Sequence, residues 1–160
     1  MIQRIQTLFL LLAFVASVLL FFFPFASIYS GDGMAYYKFY VYGFINKSPD
    51  SESIFSFMTT LPLLLLNAIV AAAALGAVFL YKNRIRQLKV VRLTIFMEIV
   101  FIGLVLFVYN KIIEKNLMAS PNYQDEFAIY FPLISLVFLV LANRFILKDE
   151  KLVRSVDRLR

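Results

Sequence analysis

The chain has 160 residues, 62% of them hydrophobic, with 18 Phe, 9 Tyr and a formal net charge of +6. A soluble domain is about 45 to 50% apolar, and one domain of this length cannot bury such an excess, so the apolar surface must face lipid or a large partner. The chain contains no Cys and no His, which excludes disulfides, thiolate nucleophiles, Cys-based metal centres, His-ligated haem and His general bases. Acid and base chemistry by Asp, Glu, Lys or Tyr stays open.

Four apolar runs follow one another, each close to the roughly 20 residues that cross a bilayer as a helix. We predict one membrane domain over residues 1–160 with spans at 5–28, 57–80, 93–112 and 127–147. The first run is longer than the apolar part of a signal peptide and lacks a small-residue cleavage site, so we expect it to be retained. The segments between and after the spans are outer loops 29–56 and 113–126, an inner loop 81–92 and a tail 148–160.

Basic residues predict the orientation. Twelve of the 16 Lys and Arg lie at the N-terminus, in the inner loop or near the C-terminus, and four lie in the outer loops. Short segments rich in Lys and Arg stay in the cytoplasm. We therefore expect both termini to be cytoplasmic, which agrees with an even number of spans.

The first outer loop carries an aromatic stretch, MAYYKFYVYGF, after the turn signal Gly31-Asp32-Gly33. The stretch favours a strand that pairs back with residues 27–29 as a short hairpin. Aromatic side chains occupy both of its faces, so the strand must lie on something. We consider two alternatives, an interfacial lid over the bundle and a face that docks a partner protein. The candidate surface comprises Tyr36, Tyr37, Phe39, Tyr40 and Tyr42.

Glu98 is the one acidic residue inside a predicted span. An unpaired carboxylate in the hydrocarbon would be expensive, so we expect a pair with Arg144, joined by Asn143 or Asn67, that fixes the third span against the fourth. Two alternatives stay open. Glu98 is a proton or cation site, or it contacts a partner or a lipid headgroup.

The predicted inner loop is basic and contains no acid. Together with the tail it forms a candidate surface for anionic lipid headgroups or a protein partner, and no glycine-rich loop or stacking array indicates nucleic acid. Leu152, Val156 and Leu159 have the spacing of an amphipathic helix, which we expect to continue the fourth span. The basic residues of this surface are Lys82, Arg84, Arg86, Lys89, Arg92, Arg154 and Arg158.

The two ends of the chain, MIQRIQTLFLLLA and NRFILKDEKLVRSVDRLR, resemble those of a bacterial family of small four-span membrane proteins, domain of unknown function family 4293. The middle matches in hydropathy and loop placement. The resemblance implies a bacterial inner-membrane setting and carries no activity, ligand or catalytic residue.

These patterns predict an all-α membrane protein with four helices in up-down order, a short hairpin-like outer loop and a cytoplasmic amphipathic C-terminal helix. The leading hypothesis for its role is a non-enzymatic assembly, scaffold or accessory subunit without a cofactor. The alternative is a small transporter or channel component that uses Glu98. A small-residue stretch over 68–77 packs the spans together or joins two copies of the chain.

Overall fold

A computed structural model describes residues 3–29, 36–48, 55–117 and 122–157. Most of them are helical, and four short strands form a small sheet. The helices are α1 Gln3–Leu19, α2 Phe57–Phe79, α3 Arg84–Gly103, α4 Asn110–Leu117 and α5 Phe131–Asp157. The strands are β1 Ala26–Tyr29, β2 Tyr36–Tyr40, β3 Gly43–Asn46 and β4 Asn122–Asp125.

Four of these helices form a closed ring in which α1 packs against α2 and α5, and α3 packs against the same two neighbours. Their buried faces are lined by small and aliphatic side chains. Ala71, Ala74 and Ala77 of α2 are buried, so the small-residue stretch forms a packing seam within the chain, where small side chains let helix backbones approach closely. The chain is thus mostly helical, as predicted, with three long apolar helices and one shorter N-terminal apolar helix.

The first helix is shorter than predicted. It ends at Leu19, and a turn leads through Pro24 into β1, so the expectation of one continuous helix over residues 5–28 is wrong. Proline lacks a main-chain N–H and disfavours helical geometry at the preceding residue, which explains why the chain is no longer helical when it reaches Pro24. Hydropathy could not reveal this, because the phenylalanines of residues 21–25 stay apolar in either conformation.

The strands form an antiparallel sheet in the order β3-β2-β1-β4. Ser27 pairs with Lys38 across β1 and β2, which confirms the predicted hairpin. The sequence reading missed β3 and β4. One face of the sheet packs on the bundle, where Phe39 stacks on Tyr109 at a centroid distance of 5.4 Å. We call this end of the bundle the sheet end.

The predicted inner loop is mostly helix. After a single 3-10 turn, Leu80–Lys82, α3 begins at Arg84 with Asn83 as its N-cap, so a loop over residues 81–92 is wrong. Arg, Lys, Gln and Leu are good helix formers, and charge alone does not end a helix. We call the end of the bundle that holds this turn the basic end.

A rod continues from α3 through a π-helical segment, Leu104–Tyr109, into α4. It extends past the predicted boundary at residue 112, and about 34 residues at 1.5 Å each give a length of roughly 50 Å. This length exceeds the roughly 30 Å of the hydrocarbon core. The outer loop that was expected over residues 113–126 is thus partly helix and partly the strand β4.

The helix α5 agrees with the predicted fourth span. A 3-10 turn, Phe127–Tyr130, leads into α5, which continues without a break to Asp157. The predicted continuity between the last span and the tail is therefore confirmed. Leu152 and Val153 are exposed, whereas the side chains of Val156 and Leu159 lie outside the described residues.

Candidate functional site

Glu98 lies on the buried face of α3, with 2% of its surface exposed. The hydroxyl of Ser135 on α5 is a polar neighbour of its carboxyl group. Ser135 itself is completely buried, and among the described residues its Oγ makes no hydrogen bond of ordinary geometry. The bundle interior thus contains a carboxyl group and a hydroxyl that are not saturated by hydrogen bonds to other elements.

Asn67 of α2 lies at a similar depth. Gln87 of α3 donates a 2.9 Å hydrogen bond to the main-chain oxygen of Ala77, which fixes the register of these two antiparallel helices. Ten residues before Ala77 is Asn67, and eleven after Gln87 is Glu98, so both lie about 15 Å further along the bundle. Asn67 is buried and donates a 3.1 Å hydrogen bond to the main-chain oxygen of Ser17.

Each of the four packed helices therefore contributes one buried polar residue at about the same depth. We call this set the polar layer, and its members are Ser17, Asn67, Glu98 and Ser135. Helix registry brings them together although they are far apart in sequence. Such groups in a membrane interior are costly and often mark functional sites.

The predicted pair between Glu98 and Arg144 is wrong. Arg144 is exposed and forms no ion pair with a described residue. Arg144 follows Ser135 by nine residues, which places it about 13.5 Å away along the helix axis. Asn143 is similarly displaced and is not part of the polar layer, and its Oδ1 is buried without a hydrogen-bond partner among the described residues.

The predicted aromatic surface divides between the two faces of the sheet. Tyr37 and Phe39 are buried against the bundle, as expected of a lid, so they are not available to dock a partner. Tyr36 and Tyr40 alternate with them and are partly exposed on the opposite face, as period-2 geometry requires. Tyr42 is half-buried after the strand and stacks with Tyr40 at 5.1 Å.

The exposed face of the sheet carries a polar network that sequence reasoning missed. Ser27 donates a 2.7 Å hydrogen bond to Oε1 of Glu126, and the same oxygen lies 3.6 Å from Nζ of Lys38. The hydroxyl oxygens of Tyr36 and Ser27 lie 3.2 Å apart. The ring of Tyr36 stacks on that of Tyr29 at a centroid distance of 4.7 Å. We call these five residues the outer network. The signal available in the sequence was Glu126, an acidic residue that directly precedes the span predicted at 127–147.

Electrostatics within the outer network favour charged Lys38. Partial burial works against the ammonium group, but the Glu126 carboxylate and the neighbouring tyrosine hydroxyls outweigh it, so the pKa of Lys38 is raised above its usual 10.5. The ion pair is thus built into the sheet and holds β2 against the residue that follows β4.

At the opposite end, the basic surface is a helical face beside the α2–α3 turn. The cations at positions 82, 86, 89 and 92 are exposed. Arg84 is half-buried and its Nη1 donates a 3.3 Å hydrogen bond to the main-chain oxygen of Asp149. The side chain of Arg154 and the whole of Arg158 lie outside the described residues.

A second buried contact at the basic end was not predicted. Gln6 of α1 donates a hydrogen bond through Nε2 to the Asp149 carboxylate, and both side chains are buried. The contact ties the start of α1 to the last turns of α5. The signal available in the sequence was Gln6, a polar residue within the first apolar run.

In the described part of the chain, no three Asp or Glu side chains lie together as a possible metal-ligand set. Carboxylate and carbonyl oxygens are the ligands that hard cations prefer. The polar layer contributes one carboxyl group together with amide and hydroxyl groups.

Three helices have the length and apolar composition needed to cross a membrane, over Phe57–Lys82, Arg84–Asn116 and Phe127–Val153, and α1 is a shorter apolar helix. The fold is that of a mostly helical, multi-pass membrane protein with a small antiparallel sheet. The chain belongs to the family described as Domain of unknown function (DUF4293), which matches residues 2–159. This confirms the resemblance carried by the two ends of the sequence. No curated protein and no solved structure matches the chain.

Proposed function

We propose that the protein is a four-span protein of the bacterial inner membrane, with α1 as its first span and both termini in the cytoplasm. The outward face of α1 supports this, since Leu8, Leu11 and Val15 are exposed and apolar side chains at such positions belong in lipid. The 17 residues of α1 cover about 26 Å at 1.5 Å per residue. The turn over residues 20–25 supplies the remaining depth.

The charge distribution supports the orientation. Among the described residues, ten Lys and Arg lie in the segments at the basic end and four in the segments at the sheet end. The positive-inside rule then places the basic end in the cytoplasm. The sheet lies on the outer side, where the rod formed by α3 and α4 extends beyond the hydrocarbon.

Within this topology, we propose a non-enzymatic role as an assembly or accessory subunit whose partner is the outer part of another membrane protein. The observation that carries the proposal is the exposed face of the sheet, where the outer network fixes tyrosines and a charge pair. Tyrosine supplies rigid contact area with a polar tip and is enriched in protein interfaces. The opposite face is anchored to the rod, where Phe39 stacks on Tyr109 at a centroid distance of 5.4 Å, so the surface is held in place before binding.

Site-specific photocrosslinking in native membranes tests this role. A photoreactive phenylalanine at Tyr40 should capture one reproducible membrane protein, identified by mass spectrometry. The matched control is the same probe at Phe107, which is exposed on the rod and should reach lipid. Lys38→Glu should abolish the crosslink from position 40 because it reverses one charge of the surface. Capture of lipid, or of a second copy of this chain, from position 40 would contradict the role.

The polar layer favours a second candidate function, movement of protons or monovalent cations through the bundle. Its specific support is that Glu98 is buried and has no ion-pair partner among the described residues. Purified protein in liposomes with an internal pH dye would show flux that Glu98→Gln abolishes and Arg144→Gln preserves. Flux no greater than that of empty liposomes would exclude this candidate.

A further inference from the structure

A cavity of about 430 Å³ opens at the basic end, between the α2–α3 turn and the last turns of α5. It lies where two span-length helices end, so in a membrane it faces the headgroup region. Its lining residues are Lys82, Asn83, Arg84, Ile85, Glu150 and Val153. The cavity therefore combines two basic groups and one acidic group with neutral polar and apolar groups at the level of the lipid phosphates.

The basic groups of this cavity are not neutralised by ion pairs to described residues. The ion pair between Lys38 and Glu126 lies at the sheet end. The hydrogen bond from Arg84 to the oxygen of Asp149 uses part of the guanidinium, which has five N–H donors, and holds it beside the cavity. Glu150, the acidic lining residue, is engaged in an interaction of its own. Lys82 and Arg84 thus retain donors for an anion.

The apolar groups of the cavity point to an amphipathic anion. Ile85 and Val153 both line the cavity. Their side chains are 53% and 45% exposed, respectively. A soluble phosphate would leave these side chains in water. A phospholipid would cover them with its glycerol and first methylene groups while its phosphate meets the cations.

We propose that this cavity binds one anionic membrane lipid, with Lys82 and Arg84 contacting the phosphate and Ile85 and Val153 contacting the acyl chains. The recognised chemistry is a phosphate monoanion, to which Lys and Arg make charge-assisted hydrogen bonds. The site is independent of the assembly role, since it lies at the other end of the bundle. It also differs from the general attraction of basic residues for a membrane, because a defined pair of cations holds one molecule.

Native mass spectrometry of the detergent-solubilised protein tests the site. Dioleoylphosphatidylglycerol should bind roughly tenfold more tightly than dioleoylphosphatidylcholine, and the double variant Lys82→Gln/Arg84→Gln should lose this preference. Lys82→Gln alone should lose part of it, and this exposed residue makes no hydrogen bond among those described, so the variant should fold normally. Equal binding of the two lipids by the wild type would overturn the proposal.

The matched control is Lys89→Gln, which removes the same charge from the same end of the bundle at a residue outside the cavity lining. It should keep the preference for phosphatidylglycerol. An equal loss in this control would show that general surface charge, not a site, binds the lipid. Excess inorganic phosphate should leave the lipid adduct in place, and its displacement of the lipid would show instead a site for free phosphate.

Discussion

Asn67 donates a 3.1 Å hydrogen bond to the main-chain oxygen of Ser17, and both side chains are buried. This contact crosses from α2 to α1 at the depth of Glu98. It joins α1, which is short for a membrane span, to the longer helix α2. The contact between Asn67 and Ser17 therefore gives this part of the polar layer a structural role, which is independent of any function of the Glu98 carboxyl group.

Replacing Asn67 tests the structural part of the layer. Asn67→Leu keeps a similar volume and removes the hydrogen bond, so we expect the free energy of unfolding to fall by about 1 kcal/mol, a typical value for interhelical hydrogen bonds in membranes. Unfolding in mixed micelles followed by circular dichroism measures it. The control is Asn110→Leu, which removes a hydrogen bond to the main-chain oxygen of Leu106 within the rod, at an exposed residue. An equal effect at both positions would mean that the α1–α2 bond adds nothing.

Gln6 and Asp149 should be energetically coupled. Either residue replaced by Ala leaves the other buried without its partner, which costs about 1 to 3 kcal/mol. The double variant should lose less than the two single losses combined, with a coupling of about 0.5 to 3 kcal/mol. Lys148→Ala, at the exposed neighbouring position, is the control. Additive losses in the double-mutant cycle would contradict the contact.

Arg144 should be dispensable for stability. Arg144→Gln should shift the melting temperature by no more than about 2 °C, the usual scale of a surface substitution. If Arg144 neutralised Glu98 after all, its removal would leave an uncompensated buried charge and cost about 3 to 5 kcal/mol. Thermal unfolding of the purified variant distinguishes these results, with Glu98→Leu as the comparison that changes the polar layer itself.

The ion pair of the outer network should contribute a constant amount between pH 6 and pH 9. The pKa of Lys38 is raised from 10.5, so its contribution is complete below about pH 10 and is lost as the pH rises through the raised value. Glu126→Gln should cost less than about 1 kcal/mol, as expected for a partly exposed pair near the surface. Thermal melts at three pH values in this window measure it, with Glu114→Gln as control. A cost that changes across the window would contradict the assignment.

Hydropathy predicted the helices that lie in lipid, because each needs a long apolar run. The second span, predicted at 57–80, is observed as α2 over Phe57–Phe79. Hydropathy could not locate the end of α1, because a run of phenylalanines is equally apolar in a helix and in a turn. It also placed charged residues 84–92 in a loop, although their helix propensity is high.

The candidate site depends on helix register, which one sequence does not provide. Glu98 was recognised as unusual, yet its neighbour across the bundle is Ser135 and not Arg144. An error of nine residues is about 13.5 Å along a helix, far more than a hydrogen bond can bridge. Likewise, Tyr37 and Tyr36 differ by one position and occupy opposite faces of a strand, so composition alone could not separate the exposed tyrosines from the buried ones.

The central claim is that α1 crosses the membrane, so that the basic end and the sheet end lie on opposite sides. Because the chain contains no Cys, single cysteines can be introduced at Ile5, Lys89, Lys47 and Lys111 and treated with a membrane-impermeant maleimide in spheroplasts. The claim predicts labelling of the cysteines at 47 and 111 in intact spheroplasts, and of those at 5 and 89 only after permeabilisation. Labelling of positions 5 and 47 from the same side would contradict it.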